Sequence, residues 1–421
     1  MKNLKTRLAL MNFLEFAVWG AYLTCMGRYL GNIGVGTEIG YFYSMQGVVS
    51  IFMPAVIGIV ADRWIPAQKM LGICHLVAAV FMILTAWYGA TAEGGVDFAT
   101  IFSLYSLSVA FYMPTIALSN SVAYTALRQA GMDTVKDFPP IRVFGTVGFI
   151  LTMWFVDIMG FQTNHWQFVT SAVIGIVLFL YSFTLPQCPV AKGDEHRSLS
   201  EAFGLQAFTL FRQKQMALFF IFSMLLGISL QITNGYANPF ISSFASEPEF
   251  ADTFGVQHAN ILISLSQISE TLCILLIPFC MKRFGIKNVM LISMLAWVLR
   301  FGLFSVGDPG SGVWMFILSM IVYGVAFDFF NVSGSLFVDQ NTAPEIRSSA
   351  QGLFMLMTNG IGGTIGVIVA QQIINAYTHG MKIGDQFYTV GEWSTCWFIF
   401  SAYALVVGLV FALVFHPQKL K

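Results

Sequence analysis

The stretch G-I-V-A-D-R-W-I-P-A-Q-K, Gly58–Lys69, sets three charged residues between two long apolar runs, 39–61 and 70–90. A helix needs about 20 apolar residues to cross a bilayer core. Both flanking runs are long enough, so the stretch reads as a tight connection between two membrane crossings. A shorter echo, M-K-R-F-G-I-K at Met281–Lys287, separates the runs 257–280 and 288–306. Arg63 and Arg283 stand 220 positions apart in a chain of 421 residues. A polar connection that returns at about half the chain length predicts two bundles of similar construction.

Outward from these connections, twelve apolar runs are legible: 8–30, 39–61, 70–90, 99–126, 141–160, 165–186, 216–240, 257–280, 288–306, 312–337, 347–376 and 393–415. Around 231–240 the pattern is interrupted by Asn234, Asn238 and Pro239. Composition agrees. Hydrophobic residues make up 57% and charged residues 10%, against about 25% charged in a soluble domain. Mean hydropathy is +0.73. A disordered chain needs the opposite balance. With 21 basic and 21 acidic residues, there is no basic excess to recruit nucleic acid. The fold class expected is an all-α membrane protein of twelve transmembrane helices in two pseudo-symmetric six-helix bundles.

The charges sort by position. With the N-terminus inside, 17 of the 21 basic residues fall on inner segments, as the positive-inside rule requires. Both termini are then cytoplasmic, in a bacterial inner membrane. Glu38, Glu93, Asp97, Glu247, Glu249, Asp252, Asp308, Asp385 and Glu392 fall on the outer side. The longest inner connection, 187–215, contains K-G-D-E-H-R, Lys192–Arg197. It divides the chain into a bundle over 1–188, a linker over 189–215 and a bundle over 216–421. Within the linker, Leu199, Ala202, Phe203, Leu205, Phe208 and Phe211 are spaced as on an amphipathic helix lying on the inner surface. The six cysteines form no C-x-x-C pair, and the six histidines share no ligand spacing, so neither a disulfide framework nor a metal site is expected.

Ionisable residues inside the runs are costly and therefore informative. A charge at the bilayer centre costs about 2.5–3.5 kcal/mol on insertion scales, so it faces a partner or a cavity. Arg28, Arg142, Arg300, Glu15, Glu270 and Asp328 are such residues. In span five, Arg142, Thr146 and Phe149 recur at i, i+4 and i+7, placing a cation, a hydroxyl and a ring on one helix face. Alternatively, Arg142 snorkels to the inner surface. In span seven Gln231 and Asn234 share a face, and in span eight Gln267 and Glu270 do so. In span ten Tyr323 and Phe327 are at i and i+4, with Asp328 adjacent. Glu15, followed by Trp19 and Tyr22, suggests another inward face and a third carboxyl for proton coupling beside Glu270 and Asp328. Aromatic faces stack planar rings. Amides and acids hydrogen-bond vicinal hydroxyls. A ring joined to a polyol suggests a nucleoside, while an aryl glycoside or another sugar satisfies the same groups.

Two resemblances sharpen these expectations. Gly58, Asp62, Arg63 and Lys69 resemble the gating-loop signature of the major facilitator superfamily, although W-I-P-A-Q stands where that pattern has Gly and Arg. The resemblance implies the major facilitator fold, with Asp62 pairing Arg63 or facing the start of helix eleven near Arg347. The segments Asp137–Phe149, Phe222–Asn234, Ser266–Leu272, Val322–Asn331 and Ala350–Gly360 resemble the nucleoside:proton symporter branch of that superfamily. That resemblance covers nearly the whole chain. It implies a nucleoside site between the halves, with contacts from Arg142, Thr146, Phe149, Gln231, Asn234, Gln267, Glu270, Tyr323, Phe327 and Asp328.

The expected function is therefore proton-coupled import of nucleosides such as uridine or adenosine by alternating access. The proton is the coupling ion, no other cofactor is implied, and the protein is a monomer and not an enzyme. A sugar or glycoside symporter of the same superfamily is the alternative. A membrane receptor or enzyme is more remote, because no activated nucleophile, phosphate-cradling loop or appended soluble domain is present.

Overall fold

The computed structural model describes residues 3–92, 95–189, 205–343 and 346–416. Hydrocarbon offers backbone N–H and C=O groups no water, so an apolar chain crossing a bilayer satisfies them within helices. Among the described residues nine helical segments are long and apolar enough to cross a membrane. One of these, Ala259–Val306, is 48 residues long and folds back at Gly285, where φ is 76° and ψ is 165°. Only glycine adopts that conformation without strain. It therefore counts as two crossings. The shorter apolar helix Trp166–Ser182 and a broken first segment complete the twelve.

The chain divides into two compact units, Met1–Glu38 with Val48–Ser198, and Ile39–Gly47 with Leu199–Lys421. Helices α1 (Leu4–Gly20), α2 (Met26–Asn32), α3 (Ile39–Arg63), α4 (Ala67–Thr91), α5 (Phe98–Gln129), α6 (Thr134–Ile158) and α7 (Trp166–Ser182) follow in order. In the first unit α1 lies along α6, and α4 packs against both α5 and α7. The α1–α6 crossing is close: a Cβ on Gly148 would overlap the Phe13 carbonyl. Small residues at such crossings let helix backbones approach in a medium that supplies no hydrophobic drive. Lys5 Nζ lies 2.6 Å from Asp137 Oδ1, tying the starts of the two helices together.

The second unit continues with α8 (Lys214–Leu230), α9 (Ile232–Ser243), α10 (Ala259–Cys273), α11 (Ile277–Val306), α12 (Val313–Gln340), α13 (Arg347–Met355), α14 (Gly363–Tyr377) and α15 (Trp393–Val414). A π-helical turn, Leu356–Gly362, joins α13 to α14. The close crossing recurs here, since a Cβ on Gly227 of α8 would overlap the Thr358 carbonyl of that turn. The first turns of α3 also belong to this unit. The Gly40 amide donates to Gln371 Oε1 at 2.7 Å, and the Tyr236 hydroxyl donates to the same oxygen at 2.8 Å.

Local details depart from the sequence reading. Span seven breaks at Gln231, not at Asn234–Pro239, and Pro239 sits inside α9. Membrane helices tolerate proline because neighbours re-satisfy the freed carbonyl. The connection before α15 is an antiparallel hairpin, β1 (Thr378–Ile383) and β2 (Gln386–Gly391), registered Thr378↔Gly391 to Ile383↔Gln386. Of the predicted amphipathic segment, Leu205–Arg212 is a 3-10 helix, and its inward residues are Ala207 and Leu210, with Leu205 and Phe208 exposed. Lys192–Arg197 lie outside the described residues. Asp62 and Arg63 close α3 and are not in a loop.

Two outcomes follow for stability. Gly148→Val forces α1 and α6 apart and should destabilise the protein by about 1–3 kcal/mol, whereas Gly352→Ala, which lies within α13 and meets open space, should hold or slightly raise thermal stability. At the start of α5, the Asp97 carboxylate accepts from the Thr100 amide and hydroxyl at 2.9 and 2.7 Å. These bonds hold its carboxyl below the usual carboxylate range. The cap is therefore present above the unfolded-state pKa and lost as pH falls through the folded value. Asp97→Ala should speed amide exchange at Phe98–Thr100 at neutral pH, and the difference from wild type should vanish in acid.

Candidate functional site

In the first unit the predicted face of α6 is built against α1. The Arg142 guanidinium carbon lies 3.8 Å from the centroid of the Phe16 ring. This is a cation–π contact made by a half-buried Arg142. Phe149 is buried and meets Trp19 edge-on, with centroids 6.3 Å apart and planes at 87°. Trp19 in turn packs on Tyr112 of α5 at 6.1 Å. Thr146, between Arg142 and Phe149, is half-buried. Cation, hydroxyl and ring thus share a face, as the i, i+4, i+7 spacing requires.

Glu15 and Tyr22 do not join that face. Glu15 is fully buried, bonded to His75 on α4 and Thr115 on α5 at 2.8 and 2.6 Å. Tyr22 packs edge-on against Tyr105 and Phe168. Of the three residues that suggested an inward face on α1, only Trp19 reaches Phe149. Spacing along the chain does not reveal His75 as this partner, because the contact joins two different helices. The available signal was chemical: an acid and a histidine inside the apolar runs 8–30 and 70–90 each need a partner.

In the second unit the amides sit at the helix break. Asn234 Nδ2 donates to Gln231 Oε1 at 2.9 Å. This bond engages one end of each amide and leaves the Gln231 NH2 and the Asn234 carbonyl oxygen outside it. On α12 the Tyr323 and Phe327 rings are stacked, 5.5 Å apart and inclined by 19°. Trp297 of α11 meets Tyr323 edge-on at 5.9 Å. Asp328 is 4% exposed, and its Oδ2 has no hydrogen-bond partner among the described residues. Glu270 of α10 lies within electrostatic range of Asp328, and Tyr323 within range of both. Glu270 and Gln267 are half-buried on α10. Ser269, next to Glu270, bonds the Ile321 carbonyl and locks α10 to α12.

Arg300 is a further member that the sequence marked as buried but not as part of the site. It is 1% exposed. Its Nη1 donates to the Ser319 carbonyl at 2.8 Å, and its guanidinium carbon stands 4.5 Å from the Tyr323 ring centroid. The cation therefore braces the ring from α11. Of the gating residues, Gly58 lies within α3 beside open space, and the side chains of Asp62 and Arg63 lie outside the described residues. Arg347 pairs with Asp339 at 3.2 Å. Among the described residues no three His, Cys, Asp or Glu side chains converge as metal ligands would.

Stacked rings, a bonded amide pair and two neighbouring carboxyls are the groups that these helices bring into the second unit. Comparison with known proteins agrees. A family model described as "Nucleoside H+ symporter" matches residues 1–420. The nucleoside permease NupG of Escherichia coli strain K12 is 47% identical over 422 residues, covering 100% of this chain and 97% of that one. The xanthosine permease of the same organism is 44% identical over 427 residues, covering 100% and 98%. A crystal structure of the nucleoside transporter NupG matches with a TM-score of 0.88 at 45% identity, over 99% of this chain and 100% of that chain. The chain is a multi-pass membrane transporter of the major facilitator fold and belongs to the nucleoside proton symporter family.

Proposed function

We propose that the protein imports nucleosides such as uridine or adenosine together with protons, by alternating access, as a monomer with both termini cytoplasmic. The observation that carries this reading is the second unit's cluster. A stacked aromatic pair, an oriented amide pair and a carboxyl with one unpartnered oxygen occupy neighbouring helices. A base stacks on the rings of Tyr323, Phe327 or Phe149. Ribose hydroxyls, which both donate and accept, match the NH2 of Gln231, the carbonyl of Asn234, and the polar ends of Gln267 and Glu270. Arg142 and Thr146 contribute polar contacts on the α6 face.

Proton coupling follows from the cost of burial. On the acidic outer side, Asp328 or Glu270 takes a proton. Two neighbouring carboxyls in a dry setting are costly when both are ionised, and one proton removes most of that cost. The neutralised pair lets the protein close around its cargo. Opening to the inner side re-admits water, and proton and nucleoside leave. No chemistry on the substrate is involved, and no cofactor beyond the proton is required. The names of the permease relatives support nucleosides as the class over the sugar alternative.

In proteoliposomes with an acidic exterior, labelled uridine should accumulate above equilibrium and collapse with a protonophore. Unlabelled adenosine should compete and disaccharides should not; the reverse pattern would favour the sugar reading. Gln231→Ala or Asn234→Ala should raise KM about tenfold, through loss of about 1–2 kcal/mol of hydrogen bonding, with little change in folding. Asp328→Asn should cut gradient-driven uptake about tenfold or more; full uptake would remove Asp328 from the proton path.

A further inference from the structure

The transport cycle above gives Arg300 no part, although its side chain is buried inside α11. A cation at that depth is costly unless something answers it. Among the described residues no salt bridge joins it to a carboxylate. The groups that answer it are neutral. Nη1 donates to the Ser319 carbonyl of α12 at 2.8 Å and to Ser266 Oγ of α10 at 3.4 Å. Nε is buried with no hydrogen-bond partner among the described residues. The guanidinium carbon stands 4.5 Å from the Tyr323 ring centroid and 5.3 Å from that of Phe304. Tyr323 is the closer of the two rings.

Helical periodicity puts these groups together. Trp297, Arg300 and Phe304 recur at i, i+3 and i+7 on α11, and Ser319, Tyr323 and Phe327 at i, i+4 and i+8 on α12. The Tyr323 ring therefore has three neighbours: Trp297 edge-on at 5.9 Å, Phe327 stacked at 5.5 Å, and the Arg300 cation. Of the three, only the cation is drawn to the negative face of the ring by its charge. The pairing of α11 with α12 also has ties that do not use the guanidinium. Ser319 Oγ donates to the Arg300 backbone carbonyl at 2.9 Å, and Ser293 Oγ bonds the Ala326 carbonyl. Both acceptors are main-chain atoms, so both bonds survive a change of side chain at position 300. What the guanidinium adds beyond them is its hold on the ring.

We infer that Arg300 is a positioning residue for nucleoside binding: it holds the Tyr323 ring, and with it the Tyr323–Phe327 stack, in the orientation that receives the base, and makes no contact with the nucleoside itself. A ring released from the cation has more orientations to lose when a base stacks on it, and that ordering is charged against affinity. The loss falls on binding and not on the rate at which loaded protein turns over. Arg300 is thus a determinant of affinity that acts only through Tyr323. The inference rests on the nucleoside reading, because a stack that meets no base leaves Arg300 nothing to position.

The test is a double-mutant cycle on uridine Kd, measured by calorimetry with the purified full chain. Arg300→Met, neutral and similar in length, should raise Kd about tenfold. In a Tyr323→Leu background, which has no ring to hold, adding Arg300→Met should change Kd by less than about twofold. In proteoliposomes Arg300→Met should raise KM and leave the maximal uptake rate near that of wild type. A folded Arg300→Met protein with unchanged Kd, an equal loss in both backgrounds, or a fall in maximal rate at unchanged KM would overturn the inference. A second arm spares Arg300 and the shape of the ring: tyrosine carrying increasing numbers of ring fluorines is placed at position 323, which withdraws π density from the face that meets the cation. Uridine binding should weaken stepwise with each fluorine, and a flat series would overturn the inference even where Arg300→Met fails to fold or Tyr323→Leu fails to bind. Failure of the nucleoside reading appears separately, as absence of uridine binding by wild type.

Discussion

Hydrocarbon tolerates an ionised side chain only when another group answers it, and that constraint organises both units of this protein. Arg142 is answered by the Phe16 ring, and Arg300 by the Ser319 carbonyl and the Tyr323 ring. Glu15 is answered by His75 and Thr115. Asp328 differs. One of its oxygens is buried without a hydrogen-bond partner, and the nearest acid is Glu270. Such a carboxyl is stable when neutral and costly when ionised. A transporter coupled to protons needs a group with that property, whose charge state alters the energy of closing a dry site.

The partners also position the groups proposed above to meet the cargo. The guanidinium of Arg300 and the edge of Trp297 hold the Tyr323 ring, which stacks on Phe327. The bond from Asn234 to Gln231 selects which end of each amide is left for another partner. Ordering these groups before a nucleoside arrives reduces the entropy lost on binding.

Much of this was legible in the sequence because membrane crossings obey a length rule and a charge rule. The twelve apolar runs and the turn near Arg283 appear in the fold, and Arg142–Phe149 and Tyr323–Phe327 lie where helical spacing put them. Relations across helices were less legible. Spacing along one helix does not reveal that Glu15 meets His75 or that Arg300 meets Tyr323, because those contacts depend on helix rotation and packing. Pro239 was misleading for a related reason: its cost depends on neighbours that a single helix does not show. The hairpin Thr378–Gly391 was hidden because a short connection carries little periodic signal.

The central claim is that nucleoside and proton cross together, and its most direct measurement runs the coupling in reverse. In proteoliposomes with no initial pH difference, a uridine gradient alone should drive protons in the direction of uridine movement, read by a pH-sensitive dye trapped inside. The account predicts acidification of the lumen on adding external uridine, abolished by a protonophore and strongly reduced in Asp328→Asn. Uridine entry at the wild-type rate with no change in lumenal pH would contradict it.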